Sequence, residues 1–372
     1  MRRPQLRTRP ARWIRSAMLG GTFVVAAGCS GGGKPIVVGA AGPWNEAYGA
    51  MNRKGLELAI DEINAKGGVR GRELKVIEQD DEGQGTRAAE VAAEFVANPE
   101  LVAVIGHVNS GAMVAAAHVY DGELPAVATT ATSPELTGIS RWTFRVISSD
   151  SANGIALARF AGTLGKRRAA IIYENNSYGR GLADAFQKAF AGEIVSVDPI
   201  PEGTGDLEPF VSYYAQQKAD IVFAAGTDAS GLSLLREARR QKLDATFLGG
   251  DGWTGIVGDT AASTGAYVGA PFSSEDPRPE AQSFVRAFRK KYGIVPDGNA
   301  ALAYDATKLV ARAIEEVGPN RRRIRDWLAG LDEDHAVGGV TGAIRFEADG
   351  DPVGKSFVMT RVQKGLLEVA AQ

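Results

Sequence analysis

The sequence contains few of the side chains that build disulfides or metal centres. Its 372 residues include one cysteine, Cys29, and three histidines. A lone cysteine cannot close an intramolecular disulfide, and this set does not supply the His and Cys cluster that a zinc site requires. A glycine-rich phosphate loop with a lysine is also missing. We therefore expect neither a metal ion nor a cofactor.

The chain also lacks a long apolar run, and its most apolar stretch near the start is short. Residues 17–27 are apolar and follow six arginines with no acid, which is typical of a secretory signal and too short for a comfortable membrane span. Cys29 follows directly, in a stretch AAGC that resembles a bacterial lipobox. We predict a signal peptide over 1–28, a lipidated Cys29 and a tether over 29–34. The alternative is ordinary signal cleavage beside a chance cysteine.

The charge balance argues against a nucleic-acid partner. Removing residues 1–28 lowers Lys+Arg from 42 to 36 against 44 Asp+Glu, so the remaining chain carries a net charge of about −8. A protein that binds nucleic acid through its phosphates needs the opposite sign. The predicted membrane attachment is through the N-terminal lipid only.

From Ile36 onward, short apolar runs alternate with amphipathic stretches. Runs such as LVAVIG and ADIVFAAG are apolar on both faces, which is typical of parallel strands covered by helices on both sides. The alternation restarts at RRAAIIYENN, and later segments predict three helices, a hairpin and a final strand pair. The predicted fold class is α/β, with two doubly wound parallel-sheet lobes between which the chain crosses more than once.

Polar clusters follow the predicted strands, where ligands bind in open parallel sheets. In HVNSG and TTATSPELT, Ser110 and Thr132 each bring a hydroxyl and free backbone N–H groups to a helix start. Two such loops on adjacent strands would converge on a small anion such as a carboxylate. The alternative is that Ser110 and Ser133 simply cap their helices.

The loop GGDGW offers the opposite charge. Asp251 lies between glycines at the end of a strand, where a carboxylate could accept an ammonium group. A turn-forming aspartate explains the same pattern. Trp44, Tyr48 and Tyr178 occupy equivalent loops and could form aromatic walls around a ligand.

A catalytic interpretation is weaker. A serine hydrolase would need Ser110 and His107 to work as a pair, but GHVNSG is not a GxSxG elbow. His107 is better explained as a packed or capping imidazole. Asp80 and Asp81 resemble the acidic pair of a magnesium-binding pocket, and a solvated turn before a helix explains them equally well.

Five blocks of sequence resemble one family. GLELAIDEINAKGGVRGRELKVIEQDD, LVAVIGHVNSG, LPAVATTATSPELT, IIYENNSYGRGLADAF and FLGGDGW are similar, in this order, to type I periplasmic binding proteins of branched-chain amino acid ABC transporters. The resemblance runs from about Pro35 to the end. It implies a bilobed clamp with a three-crossover hinge, with 35–146 plus 271–351 as the N-terminal lobe and 147–270 plus 352–372 as the C-terminal lobe.

The resemblance also implies roles for individual residues. Ser110 matches the serine that binds the ligand carboxylate, and Thr130, Ala131 and Thr132 match the segment that contacts both carboxylate and ammonium. Tyr178 matches the tyrosine of the YGxG turn. Asp251 matches an acidic residue, usually Glu, that pairs with the ammonium, and Trp44 lies where the family has a side-chain-pocket residue.

Two departures affect the expected ligand. Thr227 and Asp228 stand where amino-acid binders often have aromatic residues, and Asp251 is one methylene shorter than Glu. We therefore predict an extracytoplasmic, lipid-anchored binding component of an ABC importer, delivering a small amino acid or related metabolite to inner-membrane permease subunits and performing no chemistry. A receptor for urea, a short amide or another small metabolite is the alternative within the fold, and a secreted serine hydrolase is the alternative of another class.

Overall fold

The structure is a computed structural model that describes residues 33–202 and 206–370. It contains strands with the bounds β1 Ile36–Gly42, β2 Leu74–Asp80, β3 Leu101–Ile105, β4 Ala126–Ala128, β5 Thr143–Arg145, β6 Arg168–Glu174, β7 Glu193–Ile200, β8 Ile221–Ala225, β9 Thr246–Gly249, β10 Tyr267–Ala270, β11 Val337–Gly339, β12 Gly342–Ile344, β13 Val358–Gln363 and β14 Leu366–Val369. Its helices are α1 Ala47–Ala65, α2 Gly85–Ala97, α3 Ser110–Tyr120, α4 Asp150–Thr163, α5 Ser177–Ala189, α6 Glu208–Gln216, α7 Asp228–Gln241, α8 Thr260–Ser263, α9 Pro279–Tyr292, α10 Gly298–Val317 and α11 Arg321–Ala329.

The first lobe is built on a parallel sheet in the order β2-β1-β3-β4-β5. Strands β1 and β3 are buried along their whole length, because helices cover both faces. Helices α2 and α3 form one core with the sheet, while α1, α10 and α11 contribute to the core on the opposite face. Helix α9 packs outside α1 and α10.

The second lobe is built on a sheet in the order β14-β13-β10-β9-β8-β6-β7. Its strands from β10 to β7 are parallel, and the final pair β13 and β14 adds antiparallel strands at one edge. Helices α4 and α5 pack on one face and α6 and α7 on the other. The expected architecture of two doubly wound lobes is confirmed.

The chain passes between the two sheets at three places. The first connection joins β5 to α4, the second joins β10 to α9, and the third joins the β11–β12 hairpin to β13. These connections place the late helices on the first lobe, as the alternation of elements predicted. The lobe boundaries at 146/147, 270/271 and 351/352 stay a prediction.

The sequence pattern missed two elements beside the first connection. Strand β5 has three residues, too few for a periodicity, and α4 carries small and polar residues among its apolar ones. Helix α1 begins at Ala47, directly after the extended Glu46. These local differences leave the order of the strands unchanged.

Candidate functional site

A cavity of about 360 Å³ lies between the lobes, where the carboxyl ends of both sets of parallel strands meet. This volume is at the small end of the range of about 300–1,000 Å³ that ligand cavities occupy. Both lobes line it, through Glu46, Tyr48, Glu82, Gly83, Gln84, Val108, Asn109, Ser110, Gly111, Thr130, Glu174, Asn176, Tyr178, Glu202, Thr227, Asp228, Ala229, Asp251, Gly252 and Asn299. We call it the interlobe cavity.

On the first lobe, the start of α3 opens into the interlobe cavity. Its N-cap residue Asn109 makes no side-chain bond to the first turn, and a Cβ added to Gly111 would meet no atom within 4 Å. Ser110 is 3% exposed, and its Oγ accepts the backbone N–H groups of Thr132 and Ser133, each at 3.1 Å. Within the described part of the chain the hydroxyl hydrogen of Ser110 has no acceptor. This arrangement suits a carboxylate at the helix start.

The loop after β4 contributes less than the sequence indicated. Thr130 lines the cavity and donates its hydroxyl to the carbonyl of Val108 at 3.0 Å. Ala131 and Thr132 are fully buried and do not line the cavity. The expectation of a free N–H at Thr132 is wrong, because that group is bonded to Ser110. The hydroxyl of Thr132 is buried and lies near the carboxyl group of Asp150.

On the second lobe, Asp251 and Tyr178 face the cavity together. The Tyr178 hydroxyl donates to Asp251 Oδ1 at 3.0 Å and accepts the N–H of Gly252 at 3.1 Å. Burial raises the pKa of Asp251 to about 6. The tyrosine fixes the position of the carboxylate, which can accept an ammonium group once it is ionised.

A second carboxyl group lies buried near Asp251. Asp150 begins α4 and is fully buried, and its carboxyl group lies near the side chains of Thr132 and Asn153. Burial raises its pKa well above the ordinary value, and the charge of Asp251 raises it further. Asp150 was not identified from the sequence, because α4 was not predicted.

Thr227 and Asp228 occupy the cavity beside Glu174. The carboxylate of Glu174 accepts the N–H of Thr227 at 3.0 Å and its hydroxyl at 2.7 Å, on the same Oε1 atom. Burial raises the pKa of Asp228, and the charges of Glu46 and Asp297 raise it further. Glu174 is 1% exposed at the end of β6. Because ligands bind at the carboxyl ends of parallel strands, this position could have been identified from the sequence.

Of the first-lobe aromatic residues, Tyr48 lines the cavity and Trp44 does not. The Tyr48 hydroxyl accepts the Asn109 side-chain amide at 2.9 Å. Trp44 packs beside Gly42 and Val108, where a Cβ on Gly42 would approach its ring to 2.8 Å. Trp44 is not among the residues that line the cavity, so its ligand role stays a prediction.

His107 does not reach Ser110 as a base. It is fully buried, with Nδ1 at 2.6 Å from Asp81 Oδ2 and Nε2 at 2.9 Å from the Tyr120 hydroxyl. Both ring nitrogens are therefore occupied, and the Ser-His pair that a hydrolase requires is not formed. Asp81 also accepts the N–H of Gly83, as a turn-forming aspartate does.

None of the helices in residues 33–202 and 206–370 is long and apolar enough to cross a membrane. In the same residues no group of three or more His, Cys, Asp and Glu side chains could hold a metal ion. The predicted signal peptide and the predicted lipidation of Cys29 lie outside the described residues.

Comparisons with known proteins agree with this geometry. The pattern of a family described as periplasmic binding protein matches residues 35–365. A Pseudomonas aeruginosa protein named amino acid binding protein is 29% identical over 335 residues, covering 85% of this chain and 87% of its own. The branched-chain amino acid transporter substrate-binding protein of Streptococcus pneumoniae, solved with isoleucine, is 29% identical with a TM-score of 0.84, covering 90% of this chain and 99% of its own.

A second solved relative is closer in sequence. The ABC transporter substrate-binding protein of Desulfitobacterium hafniense, solved with leucine, is 32% identical with a TM-score of 0.79, and the match covers 91% of this chain and all of that one. The resemblance to binding proteins of branched-chain amino acid transporters is confirmed. The chain belongs to the periplasmic binding protein family and has its type I fold of two parallel-sheet lobes with a cleft between them.

Proposed function

We propose that this protein is the substrate-binding component of an ABC importer and captures a small amino acid or related metabolite in the interlobe cavity. The main support is the pairing of opposite groups across the cavity. The uncapped start of α3 with Ser110 suits a carboxylate, and Asp251 suits an ammonium group. One relative named above is an amino acid binding protein, and the two solved relatives are transporter substrate-binding proteins with bound isoleucine and leucine.

Capture proceeds by hinge closure. The lobes touch directly at the edge of the cavity, where Ser177 Oγ donates to Glu135 Oε2 at 2.9 Å and Asn299 Nδ2 donates to Thr254 Oγ1 at 3.2 Å. A ligand that contacts both lobes stabilises this closed arrangement over an open one. The closed form then delivers the ligand to permease subunits, and the protein performs no chemistry on it.

Family membership implies an extracytoplasmic location. The lipid anchor at Cys29 is part of the proposal. Its support is the position of the only cysteine directly after an arginine-rich start and a short apolar run. The folded lobes would then remain in water at the membrane surface.

Thermal unfolding of the mature protein with a ligand panel tests the binding function. The panel contains amino acids, urea, short amides and aromatic acids. A ligand at a hundredfold excess over its Kd stabilises the folded state by about 3 kcal/mol. If no compound in the panel raises Tm, the proposed function is wrong.

Substitution of Ser110 tests the site. Ser110→Ala removes the hydroxyl that faces the cavity, and we expect roughly tenfold weaker binding of a carboxylate ligand by calorimetry. Ser283→Ala, on the exposed face of α9, is the matched control and leaves Kd unchanged. Equal Kd values for the two variants would exclude Ser110 from the site.

A further inference from the structure

The walls of the interlobe cavity carry an excess of negative charge. Six carboxyl groups line it, and its lining contains no lysine, arginine or histidine among the described residues; the six are Glu46, Glu82, Glu174, Glu202, Asp228 and Asp251. In residues 33–202 and 206–370, none of these six forms an ion pair within 4.0 Å. A zwitterionic ligand with an uncharged side chain brings one positive charge, which Asp251 can accept, and leaves the others unpaired.

Four of these groups are electrostatic neighbours, and we call them the acidic wall: Glu46, Glu174, Glu202 and Asp228. Burial raises the pKa of Tyr48, and the charges of Glu46, Glu174 and Glu202 raise it further, so these three carboxylates lie near one phenol. The Asn176 amide joins two of them, with Nδ2 at 2.5 Å from Glu202 and 3.4 Å from Glu174.

The acidic wall is divided between the lobes. Glu46 precedes α1 on the first lobe. On the second lobe, Glu174 ends β6, Glu202 follows β7 and Asp228 begins α7. Closure brings these like charges toward each other in a partly desolvated space, which is unfavourable unless a cation lies between them. The wall therefore opposes closure on an uncharged side chain.

Few aliphatic side chains line the cavity among the described residues. Apart from the rings of Tyr48 and Tyr178, its apolar residues are Val108 and Ala229. A leucine or isoleucine side chain placed here would displace water from carboxylates without replacing their hydrogen bonds, which is costly. A guanidinium or ammonium group supplies several donors and a positive charge at the same place.

The ligand head is identified by independent features. The buried Ser110 lines the interlobe cavity, its hydroxyl donates no hydrogen bond among the described residues, and the start of α3 is uncapped beside it. These groups require a carboxylate, while Asp251 takes the α-ammonium. The acidic wall is thus left for the side chain of the same ligand.

We propose that the ligand is a basic α-amino acid, whose side chain ends in an ammonium or guanidinium group held by Glu46, Glu174, Glu202 and Asp228. This inference rests on the proposed function and specifies its substrate class.

Calorimetry with arginine, lysine, citrulline, leucine and agmatine tests the inference on the full mature protein. Citrulline has the shape of arginine without its side-chain charge, and agmatine has the charge without the carboxylate. We expect arginine or lysine to bind at least about tenfold more tightly than citrulline, leucine or agmatine. The arginine Kd should also increase with salt while the leucine Kd does not.

Glu46→Gln tests the acidic wall directly. This side chain is exposed and makes no capping bond to α1, so its charge can be removed without disturbing the helix. We expect the arginine Kd to rise about threefold to tenfold and the citrulline Kd to stay constant. Glu100→Gln, at the exposed opposite end of β3, is the matched control and changes neither.

The outcomes separate the two proposals. Tighter binding of leucine than of arginine, or equal binding of arginine and citrulline, overturns the basic ligand and leaves the amino-acid receptor intact. Agmatine binding as tightly as arginine overturns the assignment of the head group and with it this inference. Binding of no amino acid at all overturns the proposed function.

Discussion

Ser110 and Asp251 do their work in opposite environments. Ser110 lies at a helix start, where unpaired N–H groups favour negative charge, whereas Asp251 is a carboxylate whose pKa burial raises to about 6. Tyr178 donates to Asp251 and keeps it directed to the cavity. Each residue alone has an ordinary structural explanation, and only their meeting across one cavity gives them a combined role.

The raised pKa of Asp251 predicts a pH dependence of binding. An ammonium group binds the ionised carboxylate, and a raised pKa means that protonation already competes near pH 6. Affinity for an amine-bearing ligand should therefore increase as pH rises through about 6 and level off above about 7. Calorimetry from about pH 5 to 8 measures the Kd of the amine-bearing ligand at each pH.

Asp251→Asn is the control for that dependence. It should weaken binding of the amine-bearing ligand by about 1.5–3 kcal/mol at neutral pH and remove most of the change near pH 6. Asp150 is buried near Asp251. Burial raises the pKa of Asp150, and the charge of Asp251 raises it further. A profile that is identical in wild type and variant would show that another group titrates.

At the scale of elements, α5 sets how closely the lobes approach. Its Gly181 lies against Pro134 of the first lobe, and a Cβ added there would lie 2.6 Å from Pro134 Cδ. The same helix begins at Ser177, which bonds Glu135 across the cleft. A small residue at this position is thus required by the closed arrangement and not by either lobe alone.

Gly181→Val should therefore impair closure and leave folding intact. We expect at least tenfold weaker ligand binding, with an apo Tm close to that of the wild type. Small-angle scattering should show that the ligand-induced decrease in radius of gyration is lost. Gly162→Ala, in α4 with no atom within 4 Å of the added Cβ, is the control and should close normally.

The connections between the lobes are fastened by a buried ion pair. Arg145 at the end of β5 is 2% exposed, and its Nε donates to Asp351 Oδ1 at 2.7 Å while Nη2 donates to Oδ2 at 2.6 Å. Asp351 belongs to the third connection, so the pair ties the first connection to the third. Arg145 also donates to the Ser133 carbonyl at 2.8 Å.

Asp351→Ala leaves the buried guanidinium without its anion. We expect a loss of about 2–3 kcal/mol in the free energy of unfolding. This loss is small for a buried ion pair because Asp351 retains some contact with water. Urea unfolding measures the change. Asp184→Ala breaks the exposed pair with Lys188 and should cost less than about 1 kcal/mol; similar losses would contradict the special role of the buried pair.

At the scale of the whole molecule, the predicted lipid separates location from binding. Cys29→Ser removes the thiol that would be acylated, so the protein should move from the membrane fraction to the soluble fraction with its ligand Kd unchanged. Fractionation and mass spectrometry of the mature N-terminus measure this. A wild-type protein that carries no acyl group on Cys29 would show that the anchor assignment is wrong.

Much of the architecture could be predicted because it is written in local patterns. Runs such as LVAVI and IVFAA are apolar at every position and became strands buried along their whole length. Strand β5 was missed because three residues are too few to show an alternating pattern. Helix α4 was missed because its small and polar residues interrupt the helical spacing of its apolar ones. The expectation that ligands bind at strand ends located the loops of the cavity, but it did not single out Glu174 within one of them.

The sequence by itself determined the two-lobed α/β fold and the family, because both depend on the order of apolar segments and of motifs along the chain. It also identified Ser110, Tyr178 and Asp251 as candidates for one site. Only the tertiary structure decided that the N–H of Thr132 is bonded to Ser110, that Trp44 does not line the cavity, and that acids from distant segments share one wall. Such groupings depend on distances in space between residues far apart in sequence, which no local pattern records.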